Sequence, residues 1–125
     1  MKLLSIGTVL TAASWYLAWH HNIPLSEYSF TPLWVGYILT VNGISEILVG
    51  NSLLGRMRWS FLWLFILSIP LWWFFEYFNI FLQDWQYILP HAVGPVEYII
   101  RASVSFSTVI PAVLSTSSIL FHWFN

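Results

Sequence analysis

The sequence predicts an all-α protein, a polytopic transmembrane bundle of four helices in a single domain over residues 1–125, with both termini in the cytoplasm. Of the 125 residues, 58% are hydrophobic and only 7% are charged, whereas soluble domains carry roughly 25% charged residues. Four apolar stretches come close to the about 20 residues that a helix needs to cross the hydrocarbon of a bilayer. Lipid is therefore the expected solvent of most of this chain.

The four helices are predicted over residues 3–19, 32–49, 59–82 and 99–121. The first resembles a signal peptide in part, because Lys2 precedes an apolar run and Ala12 and Ala13 suit a cleavage site. The run nevertheless continues through bulky side chains as far as Trp19, which is long for a signal peptide. We therefore predict that the first helix is retained.

Turn-forming residues separate the predicted helices. They are Asn22, Pro24 and Ser26, then Gly50, Asn51, Ser52 and Gly55, and finally Pro90, Gly94 and Pro95 in the longest connection, 83–95. Pro32 suits the first turn of the second helix. Pro70 and Pro111 lie inside the third and fourth helices, where proline removes an N–H donor and crowds the preceding turn. We expect a kink at each of these two prolines.

The positions of the basic residues predict the orientation. Lys2 lies at the start of the chain, and Arg56 and Arg58 lie in the second connection, whereas Glu27 carries the charge of the first connection. Cytoplasmic loops of membrane proteins carry the excess of Lys and Arg. This pattern places both termini and the second connection in the cytoplasm.

Charge and cysteine content exclude several classes of function. The net charge is -1, without a basic stripe, so the chain lacks the electrostatic footprint of a nucleic-acid-binding protein. It contains no cysteine, which excludes disulfides, thiolate metal sites and haem attachment through sulfur. Aromatic belts at the membrane surface account for some of the nine tryptophans. They do not account for Trp72 and Trp73, which lie in the middle of a predicted helix.

Two acidic residues inside predicted helices are the main candidates for function, because a charge at a helix centre costs about 2.5–3.5 kcal/mol on insertion scales. Asn42 precedes Glu46 by four residues and Asn79 follows Glu76 by three, so each acid has an amide on its own helix face. Glu46 could also snorkel to the membrane surface or pair with an arginine of the second connection. Glu76 follows an aromatic run, where burial favours a protonated carboxyl that can donate a proton or a hydrogen bond.

Histidines on one side of the predicted topology are the other candidates. His20, His21 and His91 share that side with Asp84 and Glu97, and imidazole and carboxylate groups are zinc ligands. Their spacing matches no metal-binding motif. No histidines are paired at mid-membrane to hold a haem or a chlorin. We therefore predict no metal site and leave the identity of any cofactor open.

The fourth helix is rich in small and hydroxyl residues, which let helices approach closely and form hydrogen bonds across the contact. These residues are Ala102, Ser103, Ser105, Ser107, Thr108, Ala112, Ser115, Thr116, Ser117 and Ser118. We predict that this helix packs against its neighbours, and a substrate channel is the alternative.

Aromatic motifs along the chain resemble a family of uncharacterised prokaryotic polytopic membrane proteins. The motifs are FTPLWVGY at 30–37, WWFFEYFN at 72–79, WQY at 85–87 and FSTVIPA at 106–112. The resemblance covers most of the chain after the first helix. It implies a multi-pass protein of a prokaryotic cytoplasmic membrane and carries no known activity with it.

The latter half of the chain also resembles the small membrane-embedded lycopene cyclase domains of bacteria and archaea. The matching residues are Trp73, Glu76, Trp85 and the segment GPVE at 94–97. Tyr98 stands where that family has a second acid. The resemblance implies an intramembrane enzyme in which Glu76 or Glu97 protonates a polyene. The aromatic faces that would stabilise the cation are Trp72, Trp73 and Trp85.

Three functions remain open from the sequence. We favour a non-catalytic accessory subunit of a larger membrane complex, in contact with pigment, haem or lipid, because the short connections leave little machinery outside the bilayer. The alternative is an enzyme of isoprenoid or lipid chemistry that uses Glu76 and Glu97 as acids, and the third is an oligomeric transporter or channel with Glu46 and Glu76 along a polar path. The expected partners are the lipid bilayer and other membrane protein subunits or further copies of this chain. The predicted binding residues are Asn42, Glu46, Trp72, Trp73, Asn79 and Trp85.

Overall fold

The structure, a computed structural model, describes residues 2–20, 22–86 and 93–124, and every regular element within these ranges is helical. The α-helices are α1 (Lys2–Trp19), α2 (Phe30–Val49), α3 (Leu53–Met57), α4 (Leu62–Leu82), α5 (Pro95–Phe106) and α6 (Val109–Phe124), with 3-10 turns at Pro24–Tyr28 and Arg58–Phe61. The prediction of an all-α fold is confirmed for these residues.

Three helical segments of the described chain are long and apolar enough to cross a membrane. They are Phe30–Val49, Leu53–Leu82 and Pro95–Phe124. Helix α1, with 18 residues, is not among them, although it would reach about 27 Å at 1.5 Å per residue. The structure thus supports a membrane protein, and the fourth crossing stays a prediction.

Two connections differ from the sequence-based expectation. The second is itself helical, because the Ser52 hydroxyl accepts a hydrogen bond from the Gly55 N–H at 3.0 Å and so caps the start of α3. Gly50, with a φ of 88°, ends the preceding helix in the left-handed conformation that favours glycine. The last helical segment begins at Pro95 rather than at residue 99, because the first turn of a helix does not need the N–H that proline lacks. Similarly, α2 begins at Phe30, ahead of the predicted residue 32.

Helices α1 and α2 form an antiparallel pair in which glycines bring the two backbones into contact. A Cβ atom on Gly7 would lie 2.5 Å from the backbone N of Thr40, and one on Gly43 would lie 2.6 Å from the backbone of Leu4. These distances are too short for any side chain. Glycine at both positions therefore allows the close helix approach that is typical of small residues in membrane helices.

The other helices add to this pair in a simple order. Helix α2 contacts α1 and also α6, and α6 in turn contacts α4. The core lies where α2, α4 and α6 meet, around Ile38, Phe61, Leu64 and Ala112. Hydroxyls of α6 join α2, as shown by the 2.6 Å hydrogen bond between Thr116 Oγ1 and the Tyr37 hydroxyl. The packing role predicted for the fourth helix thus belongs to α6.

A serine of α4 fills the break between α5 and α6. Pro111 has no N–H to donate and crowds the carbonyl four residues earlier, so the helix is interrupted at 107–108. The Ser68 hydroxyl accepts a hydrogen bond from the Ile110 N–H at 3.0 Å and donates one to the Phe106 carbonyl. In an unbroken helix those two backbone groups would bond each other. The kink expected at Pro111 is therefore a break in the helix bridged by Ser68. Helix α4 continues across Pro70, and the kink expected there stays a prediction.

Candidate functional site

The chain that follows α4 is folded back onto the helix by one side chain. Gln83 adopts a left-handed conformation and ends the helix. The Asn79 amide then donates to the Trp85 carbonyl at 2.9 Å and accepts from the Trp85 N–H at 3.2 Å. Because both backbone groups of Trp85 are held by one amide, the position of the indole relative to α4 is well defined.

The Trp85 indole links the acidic and aromatic residues predicted from the sequence. Its Nε1–H donates to Glu76 Oε1 at 2.9 Å, and its ring stacks on Trp72 with centroids 6.3 Å apart and an angle of 29°. The structure therefore brings Trp72, Glu76, Asn79 and Trp85 into one cluster. This cluster combines a carboxylate, an indole N–H donor and two stacked aromatic faces.

Trp73 contacts α5 through a hydrogen bond and through an aromatic ring that it shares with Trp72. Its indole N–H donates to the Ser103 hydroxyl at 3.1 Å, and its ring contacts Phe106 edge-on at 5.0 Å between centroids. Trp72 contacts the same phenylalanine at 6.0 Å. The two adjacent tryptophans therefore fix Phe106 between them and join α4 to α5.

A cavity of about 360 Å³ lies beside Trp72. Its lining includes Glu27, Phe30, Trp72, Arg101, Ala102 and Phe106. The walls are mainly apolar and aromatic, and the charged groups of Glu27 and Arg101 form one polar side. Pockets for small molecules typically have this combination, a volume of about 300–1,000 Å³ with few polar groups that fix orientation.

The polar side of the cavity is an ion cluster around Arg101. Its Nη2 atom donates to Glu27 Oε1 at 3.2 Å, to the Tyr28 hydroxyl at 2.7 Å and to Glu97 Oε1 at 2.7 Å. The guanidinium carbon also lies 4.6 Å from the centre of the Tyr28 ring, at cation–π distance. The hydrogen bond with Glu27 raises the pKa of Tyr28, because it favours the protonated phenol. Glu97 is a candidate from the sequence, whereas the cluster around Arg101 was not predicted; its local signal is the i,i+4 spacing of Glu97 and Arg101.

Asn42 is buried at the opposite end of the bundle, where its hydrogen bonds join helices. The side chain is 1% exposed, and its amide donates to the Ile38 carbonyl at 2.8 Å and to the Ser115 hydroxyl at 2.9 Å. Its oxygen accepts from the Leu54 N–H at 3.0 Å. Asn42 therefore joins α2, α3 and α6, and these contacts replace the expected pairing with Glu46.

Glu46 likewise has partners other than those expected. It accepts a hydrogen bond from the Ser52 hydroxyl at 3.0 Å. In the described part of the chain, the guanidinium of Arg56 donates to Asn51 and to Ser118 rather than to this acid. Glu46 lies next to α3, which precedes α4. Glu76 lies 14 residues beyond Leu62, the first residue of α4, which corresponds to about 21 Å along the helix. The structure thus places the two acids of the suggested polar path at opposite ends.

The histidines do not form a common site within the described residues. His20 Nδ1 lies 2.7 Å from the Tyr16 carbonyl, and its ring stacks on Tyr16 at 3.9 Å. His21 and His91 lie outside the residues that the structure describes. Among the described residues, no group of three or more His, Asp or Glu side chains is arranged to hold a metal ion.

Comparisons of this chain with protein-family models, with curated proteins and with solved structures find no match. The two family resemblances in its motifs therefore stay predictions. Fold and site together define a class: an all-helical protein with three candidate membrane spans and an aromatic-walled cavity that is polar on one side.

Proposed function

We propose that this protein is a non-catalytic subunit of a larger membrane assembly and that it holds an amphipathic, lipid-like molecule in the cavity beside Trp72. Isoprenoids and pigments with long apolar tails belong to this class of ligand. The proposal includes a prokaryotic cytoplasmic membrane, α1 as a fourth crossing and both termini in the cytoplasm. The observation that carries it is the cavity, with mainly apolar and aromatic walls and one pair of charged groups, Glu27 and Arg101.

The chemistry of the lining supports an amphipathic ligand over a purely polar one. Trp72, Phe106 and Phe30 offer flat apolar surfaces, which bind extended chains or rings through dispersion and burial of apolar area. Arg101 and Glu27, which are paired at 3.2 Å, provide the charged groups of the lining, and Tyr98 and Ser105 add hydroxyl groups. A ligand with a small polar head and an apolar body matches this distribution.

The positions of the acids favour binding over catalysis. A general acid must lie within hydrogen-bond reach of the atom that it protonates. Neither Glu76 nor Glu97 is among the described residues that line the cavity. Glu97 is 49% exposed, and its carboxyl group is paired with Arg101 at 2.7 Å.

Filling the cavity tests the proposed binding role. Replacing Ala102 with phenylalanine should reduce the amount of bound ligand about tenfold, since overfilling a packed site typically costs 1–3 kcal/mol. The measurement is mass spectrometry of the molecules that co-purify with the protein in mild detergent. Ala13→Phe is the matched control, because Ala13 is an exposed alanine on α1. Equal ligand content in both variants, or none in the natural protein, contradicts the proposal.

An intramembrane enzyme is the second candidate, and one observation favours it. Glu76 lies in one cluster with the stacked rings of Trp72 and Trp85, and Trp72 also lines the cavity. Acid-initiated cyclisation of a polyene needs a proton donor close to aromatic faces that stabilise the cation.

Glu76→Gln separates the two candidates. The glutamine keeps a carbonyl oxygen that can accept the Trp85 N–H, so under the binding proposal both stability and ligand content should change little. An enzyme would lose roughly 100-fold or more of its turnover of a lycopene-like polyene, the usual contribution of a general acid. If the natural protein forms product and this variant does not, the enzymatic proposal replaces the binding proposal.

A further inference from the structure

A second groove lies at the end of the bundle opposite to the aromatic cavity. The C-terminal ends of α2 and α6 meet α3 there and enclose about 750 Å³. The residues that line the groove include Val49, Asn51, Arg56, Ser118, Phe121 and His122. The groove therefore combines two basic side chains with hydroxyl and amide groups and with an apolar wall.

Arg56 lies in this groove, and the two side chains that fix its orientation carry no charge. Its guanidinium donates to Asn51 Oδ1 and to Ser118 Oγ at 2.9 Å, and both acceptors are uncharged. Asn51 and Ser118 belong to different elements, so the two bonds hold the guanidinium across the groove. A cation fixed by neutral oxygens keeps its charge for an external anion.

The basic groups of the groove lie near the ends of candidate membrane spans, where the surface of a membrane is expected. Arg56 lies in the first turns of the candidate span Leu53–Leu82, and His122 lies near the end of the candidate span Pro95–Phe124. Basic residues at the ends of membrane helices lie at the level of the lipid headgroups. The apolar wall has an exposed component, since Phe121 is 72% exposed.

One acid lies close to this groove. Glu46 lines an adjoining depression together with Ser52, Gly55 and Arg56. Its carboxylate accepts a hydrogen bond from Ser52, which directs it to the side of α3. Glu46 is not among the described residues that line the groove, and its charge weakens the attraction for an anion without occupying the groove.

We propose that this groove binds the phosphate headgroup of an anionic glycerophospholipid. Arg56 and His122 contact the phosphate, and the hydroxyl of Ser118 and the amide of Asn51 lie beside it. An acyl chain follows the apolar wall of Val49 and Phe121. The site is separate from the aromatic cavity and does not depend on the function proposed for it.

The test uses the purified full-length protein in neutral detergent and counts bound lipids by native mass spectrometry. Dioleoyl phosphatidylglycerol and dioleoyl phosphatidylcholine, which share their acyl chains, are added in equal amounts. Each basic side chain near an anionic headgroup contributes about fivefold in affinity. The natural protein should therefore prefer phosphatidylglycerol at least about fivefold, and Arg56→Gln should lose most of this preference.

Arg58→Gln is the matched control, because Arg58 is a neighbouring exposed arginine that does not line the groove within the described residues. An equal loss of preference in this control indicates general attraction of anions and overturns the proposal, as does the absence of any preference in the natural protein. Displacement of the lipid by millimolar inorganic phosphate identifies a site for free phosphate and also overturns it. If Arg56→Gln does not fold, His122→Gln decides: reduced preference in a folded variant supports the site, and unchanged preference overturns it.

Discussion

Replacing Ser68 with alanine is expected to lower the free energy of unfolding by about 2–4 kcal/mol, because two buried backbone groups lose their partner at once. Ser68 is fully buried, with 0% exposure. Its hydroxyl is the acceptor for the Ile110 N–H and the donor to the Phe106 carbonyl. No water is expected at this depth in a membrane to replace it. Unfolding in mixed micelles of mild detergent and dodecyl sulfate, followed by circular dichroism, measures the loss.

The same measurement on Ser117→Ala provides the control, since Ser117 is an exposed serine on α6. Ser117→Ala should change the free energy of unfolding by less than about 0.5 kcal/mol.

A double-mutant cycle that combines Ser68→Ala with Pro111→Ala adds a mechanistic test. With alanine at 111 the helix regains an N–H and can close, so the two losses should not add. Full stability of Ser68→Ala alone would show that the 106–110 bond forms without the serine.

The sequence was sufficient to predict the helices but not the way in which the third and fourth predicted helices meet. Apolar stretches and turn residues depend on neighbours along the chain, so the all-α fold and most helix boundaries could be predicted. Pro111 also indicated an interruption. The side chain that repairs it, Ser68, is 42 residues away from Ile110 in the sequence, and the spacing of residues within a helix contains no information about such a contact.

The candidate site shows the same distinction between local and distant contacts. Glu76, Asn79 and Trp85 are close in sequence and were proposed together, although the acid bonds the indole and the amide bonds the backbone of Trp85. Glu27 and Arg101 are 74 residues apart, and their pairing follows only from the packing of the last helices against the first connection. Asn42 was proposed as a binding residue because its amide lies on the same helix face as Glu46, whereas its hydrogen bonds to Ser115 and Leu54 join helices.

Replacing Gly7 with leucine is expected to have the largest effect on stability, a loss of about 3 kcal/mol or more, at the upper end of the cost of overfilling a packed interface. A Cβ at this position would lie 2.5 Å from the backbone N of Thr40 and 2.8 Å from the backbone C of Leu39. Backbone atoms in a helix cannot move aside individually. Helix α1 must therefore shift away from α2 as a whole, and the dispersion contacts along the pair are lost together. The unfolding midpoint in the mixed micelles should fall accordingly.

A graded series shows whether contact between the backbones is the cause. Both variants gain helix propensity over glycine, about 0.8–1 kcal/mol for alanine, but Gly7→Ala adds only the Cβ to the crowded interface. Its net loss should therefore be clearly smaller than that of leucine, whose further carbons must also be accommodated. Ala13→Leu places the same side chain on an exposed position of α1 and should leave the midpoint unchanged, because that face is expected to contact lipid. If Gly7→Leu and Ala13→Leu behave alike, α1 does not lie against α2 at Gly7. If the loss increases from Ala13→Leu to Gly7→Ala to Gly7→Leu, close packing of the glycine pair holds the first helix in the bundle.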